Sequence, residues 1–173
     1  MFFRCARSIT FGAFLVTAGC APAPTADTAE GAVGQDGWLK GTTDEKLDVV
    51  AGQLRGFDMA MVEVGYRFTE LYFAGEEQNW PYAKYHAEKI ETAIRKGLER
   101  RPKRAASAET FLNLVVPEML AAIEQKDFDL FRQRFHTMHS ACITCHTNEK
   151  VEFITVALPK QHLAPVGPEA LPK

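Results

Sequence analysis

The sequence predicts an all-α fold, a four-helix bundle with its most informative motif on the last helix, and three observations carry that prediction. Apolar residues recur at alternating three- and four-residue steps through four segments. The connections between those segments are short and punctuated by Gly, Pro, Asn or Asp. No stretch alternates convincingly as a paired strand, apart from the short β-leaning run Phe153 to Val156. Helices with one apolar face each bury those faces best against one another.

Each element has its own signature. Thr42 and Glu45 have capping-box spacing at the head of the first helix. Its stripe is Leu47, Val50, Leu54, Phe57, Met61, Val64, Phe68 and Leu71, a continuous run that Gly75 should end. The second helix starts at Asn79 as cap, takes Pro81 in its first turn and runs to about Glu99, with Ala83, Ala87, Ile90, Ile94 and Leu98 inward. A basic connection, "ERRPKRAASAE", is broken at Pro102. The third helix covers about Ala108 to Gln125, with Phe111, Leu114, Val115, Leu120 and Ile123 inward and Pro117 kinking or restarting it. Asp127 caps the fourth, whose stripe is Phe128, Phe131, Phe135, Met138, Cys142 and Cys145.

The flanks set the context. At 173 residues, 46% hydrophobic and 24% charged, the chain has the makings of one globular domain. Its formal charge of −2 lacks the basic footprint that nucleic-acid binding requires. Residues 1–19 have the layout of a secretory signal peptide, with Arg4 and Arg7 ahead of an apolar run too short to span a bilayer. Thr17-Ala18-Gly19-Cys20 resembles a bacterial lipoprotein box, which predicts lipidation at Cys20, whereas ordinary cleavage after Ala23 is the plainer alternative. By analogy with such lipoproteins, Ala21 after the cysteine favours the outer membrane, so the expected location is periplasmic with a lipid anchor. Residues 20–41 are rich in Pro, Gly and Thr and read as a flexible tether, with Trp38 expected to dock on the domain. The domain proper is then 42–150, followed by an extended tail, 151–173.

Within that domain the only cysteines are Cys142 and Cys145, in Cys142-Ile143-Thr144-Cys145-His146. An oxidising compartment would close a stray pair into a disulfide unless something else occupied the sulfurs. A redox dithiol of the thioredoxin kind needs its motif at a helix N-terminus after a strand, and this one sits late in a helix. Zinc needs two further ligands, and no second cysteine pair exists. One covalent haem c fits best, since its two vinyl groups need thiols about a helical turn apart with a histidine beside them. Cys142 and Cys145 are therefore the expected thioether residues and His146 the proximal iron ligand.

The stretch "AAIEQKDFDLFRQRFHTMHSACITCHTNEK", residues 121–150, resembles the C-terminal helix of class II c-type cytochromes, the cytochrome c-prime group. The resemblance implies a four-helix bundle with the haem motif near the C-terminus. It also implies an aromatic residue ahead of the first cysteine, here Phe135, and a basic residue four positions after the haem histidine, here Lys150. It covers about 30 residues closely and is only architectural over the first two helices, where "GYRFTELYFAGEEQNWPYAKYHAEKI" departs from the usual pattern; a divergent member is implied. The tail beyond Lys150 is a second departure and is expected to cover part of the haem. Relatives often form homodimers through their first two helices.

In the resembled family the first helix supplies the residue facing the open side of the iron. Met61, on the inward stripe, is the expected distal ligand, and Met59, at family-like spacing from Arg55, is the second choice; the plain alternative is that both are core methionines. His86 reads as a polar residue at a helix boundary, with a distal or propionate role as the sharper option. His136 and His139 lie on the wrong side of the sulfurs to act distally, and no periodicity places His162. Arg100, Arg101, Lys103 and Arg104 read as a solvated run, or more sharply as a docking patch for a redox partner or a clamp on propionates. Two functions follow. The first is a carrier of single electrons between redox partner proteins, with His146 and Met61 as axial ligands. The second is a five-coordinate haem protein binding a small gas such as nitric oxide or carbon monoxide, in a pocket walled by Phe57 and Val64. No acid–base pair can be placed at the iron, so the expectation is not an enzyme.

Overall fold

The computed structural model describes residues 31–163, and these are helical with no extended sheet; the one β contact among them is an isolated bridge between Val33 and Leu39. The signal-peptide reading and the lipidation site Cys20 lie outside the described residues. The chain divides into two compact units at Val50/Ala51.

In the first unit the expected tether has local order. Val33 and Leu39 exchange backbone hydrogen bonds of 2.9 and 3.0 Å around a 3-10 turn, Gln35–Gly37. Trp38 is half exposed in this loop. Helix α1, Thr43–Gln53, opens with the predicted capping box: the Glu45 N–H donates to Thr42 Oγ1 at 3.3 Å and the Thr42 N–H donates to Glu45 Oε2 at 2.7 Å.

The first expected helix is in fact two. Helical hydrogen bonding stops at Leu54, Arg55 takes a left-handed φ of 58°, and α2, Phe57–Glu76, starts afresh. Gly52 and Gly56 bracket the break, and Asp58 accepts from the Gly56 N–H at 3.1 Å while pairing with Arg55. Leu47, Val50 and Leu54 are therefore exposed, and the stripe buries residues only from α2 onward.

Helix α2 packs along α3, Trp80–Arg100. Asn79 caps α3 by accepting from the Tyr82 N–H at 3.3 Å, and Ala83, Ala87, Ile90 and Ile94 are buried as predicted. Gly75 does not end α2. That role falls to Gln78, with φ 54°, whose N–H donates to Gly75 O while the Asn79 N–H donates to Ala74 O. Gly75 instead lets α2 meet the Phe131 ring, which a Cβ would strike at 1.9 Å.

The third expected helix is α4, Ala105–Thr110, a π-turn, Phe111–Val115, and α5, Val116–Gln125. Pro117 sits just after the π-turn, which accommodates the backbone that a proline cannot hydrogen-bond. The wider turn rotates the inward face, so Leu112, Val116 and Met119 are buried and Leu114 is 52% exposed, contrary to the stripe read from the sequence. Helix α6, Phe128–Asn148, is capped by Asp127, which accepts from the Leu130 N–H at 2.9 Å. Its Phe131, Phe135 and Met138 are buried against α2 and α5. The β-leaning run Phe153 to Val156 forms no strand; residues 151–163 follow α6 as irregular chain.

Candidate functional site

A cleft of about 280 Å³ opens where α2, α6, the π-turn and the irregular tail meet. From α2 it is lined by Phe57, Met61, Val64, Gly65 and Phe68, from α6 by Cys142, Cys145 and His146, and from the tail by residues 154–157. Its walls are mainly apolar, and the motif lies on them because Cys142 and Cys145 continue the buried stripe of α6 by one further turn.

Both thiols are unbridged. Burial pushes the Cys142 thiol up to about 12, with the neighbouring Cys145 adding to the effect. Cys145 is raised too, by burial first and by Glu149 second, with Arg104 acting against them. An exchange-active dithiol needs a depressed thiol pKa, so this site is unsuited to the thioredoxin type of chemistry. Among the described residues no group of three or more His, Cys, Asp or Glu side chains is arranged to hold a metal ion.

His146 is oriented by the tail. Its Nδ1 lies 2.7 Å from the Ile154 carbonyl oxygen, which can only accept, so Nδ1 is the donor of this bond and Nε2 is the ring nitrogen left for another partner. The turn after α6 delivers that carbonyl. Lys150 takes φ 58°, its N–H donates to Thr147 O and the Val151 N–H donates to His146 O, a left-handed cap that reverses the chain toward the cleft. Arg104 pairs with Glu149 and stands 5.7 Å from the Phe57 ring centroid, at the edge of the same cleft.

The structure thus brings together Cys142, Cys145, His146, Met61 and Phe57. Met59 is not on the cleft wall and is 38% exposed. Phe135 is buried one layer back, stacked on Phe68 at 4.5 Å, and supports the wall without lining it. Lys150 is exposed and outside the lining; its part is to terminate α6. His86 is also elsewhere, 1% exposed between the rings of Tyr66, Tyr82 and Tyr85. Burial and the nearby Arg67 hold its imidazole down at about 4, so it is neutral at pH 7. Sequence reasoning missed Ile154, because a backbone carbonyl leaves no residue-type signature. It also missed His139, whose Nε2 meets the Val156 carbonyl at 2.9 Å.

No family model, curated protein or solved structure matches this chain. The site is therefore read from its own chemistry. It can admit a largely apolar group, tie it through two sulfurs and offer it one imidazole nitrogen.

Proposed function

We propose that this protein is a monohaem c-type cytochrome, a divergent class II member built as a four-helix bundle from α2, α3, the α4–α5 pair and α6, and that it passes single electrons between redox partner proteins. It is a carrier and not an enzyme, exported to the periplasm and held by lipid at Cys20. One observation carries the reading: two unbridged thiols a helical turn apart on an apolar cleft, beside an imidazole whose Nδ1 is already engaged.

When bound, the haem supplies a one-electron couple. Cys142 and Cys145 hold it as thioethers. His146 offers Nε2, with ring orientation and basicity set by the Ile154 carbonyl. Met61, which also lines the cleft, would be the distal ligand, and Phe57, Val64, Phe68 and Ile94 would surround the group with apolar side chains, a low-dielectric shell of the kind that tunes a haem potential. A second reading, a five-coordinate iron open to nitric oxide or carbon monoxide, is favoured by the apolar α2 wall and by the empty space beside Gly65.

The deciding measurement is the visible spectrum of protein produced with a c-type haem maturation system, oxidised and reduced, before and after carbon monoxide. The carrier predicts a low-spin spectrum indifferent to the gas. Met61→Ala should then give a high-spin spectrum that shifts on gas addition. A high-spin wild type that binds the gas selects the second reading. Absence of covalent haem overturns both.

A further inference from the structure

We propose that residues 151–163 are a detachable strap over the cleft, clasped to α2 by His162, and that releasing the clasp opens the cleft to small ligands. The proposal rests on the cleft being the cofactor site, and it regulates access to that site.

The strap covers the cleft without being built into the helices. Residues 154–157 form one of its walls, yet Phe153, Ile154, Leu158 and Leu163 are 78, 53, 40 and 57% exposed. A segment that buries so little apolar surface belongs to the low-stability end of a fold. It is tied down by three histidines. His146 and His139 hold the carbonyls of Ile154 and Val156, and His162 makes the third attachment, at the far end.

That third attachment has an unusual form. His162 Nδ1 lies 3.1 Å from Glu70 Oε2, its Nε2 lies 3.1 Å from Glu77 Oε1, and its ring stacks on Phe73 with centroids 4.1 Å apart. The Leu163 N–H donates to the other Glu70 oxygen at 3.0 Å. Each ring nitrogen faces a carboxylate oxygen, and only an imidazolium can donate to both. Glu70 is fully buried, so its carboxylate depends on such partners. The groups acting on the clasp are Glu70 and Glu77 at the α2 end, with Tyr82 and His86 of α3 coupled to it through Glu70.

The His162 pKa is raised, first by the Glu70 hydrogen bond and also by Glu77, with burial opposing. A raised histidine contributes its full stabilisation below the unfolded value of 6.5 and loses it as pH climbs through the folded value. The clasp is therefore closed in mild acid and weakened in mild alkali.

Hydrogen-exchange mass spectrometry on the full chain tests this, read as protection factors so that the intrinsic pH dependence of exchange cancels. Protection across 154–163 should fall about tenfold between roughly pH 6 and pH 9, the scale of one charge-assisted hydrogen bond. His162→Gln should show the low protection at both pH values, and Glu77→Gln, on an exposed helix end, should lie between. In a Met61→Ala background, where the proposed function leaves the iron open to gas, carbon monoxide should associate faster with the haem-loaded protein once His162→Gln is added. Protection that is unchanged by both pH and His162→Gln overturns the strap. Because exchange is read whether or not haem is attached, that failure is separable from failure of the haem assignment, which the spectrum reports.

Discussion

The two halves of α2 put the same kind of apolar stripe to opposite uses. Its C-terminal half is packed against side chains: Leu71 and Ala74 are fully buried, and Gly75 lies against the Phe131 ring. Its N-terminal half lines a cleft through Phe57, Met61, Val64 and Gly65, and Phe68, just past the midpoint, joins the two by lining the cleft and stacking on Phe135. The partner helix repeats the contrast, since Phe131, Phe135 and Met138 of α6 are buried while Cys142, Cys145 and His146 line the cleft. Hydrophobic periodicity is thus common to both halves, and the difference lies in what stands opposite. Aromatic rings pack one end, while two sulfurs and the His146 imidazole line the other, and the irregular chain after α6 touches both.

The largest expected effect breaks the packed end. Phe131 is fully buried, with Trp80 edge-on at 6.0 Å and Phe135 at 6.1 Å between ring centroids. Phe131→Ala should lower the free energy of urea unfolding by about 3–5 kcal/mol, the cost of a large buried aromatic and the cavity it leaves. Phe131 does not line the cleft and reaches it only through Phe135 and Phe68, so the haem-loaded protein should keep its visible spectrum at low urea. A changed spectrum would mean that the two halves do not behave independently.

How much of this was legible in the sequence follows the same division. The caps at Thr42, Asn79 and Asp127 were readable because a side-chain oxygen near an N-terminus has a local signature. The inward faces of α3 and α6 were readable because both helices are regular and amphipathic. The break at Arg55 was not, because two exposed leucines and a valine in α1 kept the apolar period running through it. On α4–α5 the predicted Phe111, Val115 and Ile123 are buried but Leu114 is not, and Leu112, Val116 and Met119 join them, because a π-turn shifts the register by a fraction of a turn that no residue type announces. At the site, Cys142, Cys145 and His146 stand in the sequence, and Met61 could be separated from Met59 by helical phase alone. That the tail covers the site was an expectation of the sequence, but its attachments were not legible, because they run through backbone carbonyls and a histidine held by residues more than 80 positions away.

An intermediate effect sharpens the contrast at the packed end. A Cβ at Gly75 would meet Phe131 Cε1 at 1.9 Å and Cζ at 2.0 Å. Phe131 is fully buried, and a Cβ at Gly75 would force its ring to shift toward the small cavity it lines with Tyr72, Phe135 and Leu158. Gly75→Ala should therefore destabilise by about 1–3 kcal/mol despite alanine's better helix propensity, because overpacking a filled core forces side chains off their rotamers. Thermal unfolding followed by circular dichroism reads this directly, and an unchanged or higher midpoint would show that the packed end has slack.

The smallest effect has the opposite sign and comes from the same substitution ten residues earlier. Gly65 lies in the cleft half of α2, where a Cβ would find no atom within 4 Å. With no clash to oppose it, Gly65→Ala should gain the helix-propensity difference alone, about 0.5–1 kcal/mol of added stability in the haem-free chain. That gain isolates the backbone contribution which at Gly75 is overwhelmed by sterics. In the haem-loaded protein the sign becomes informative about the cofactor. Gly65 stands one turn from Met61, on the wall that a macrocycle tied to Cys142 and Cys145 would approach. If that approach uses the space beside Gly65, the alanine methyl group competes with it, and the stability gain seen without haem should shrink or reverse with haem attached. An equal gain in both forms would put the cofactor further from α2 than Met61 ligation allows.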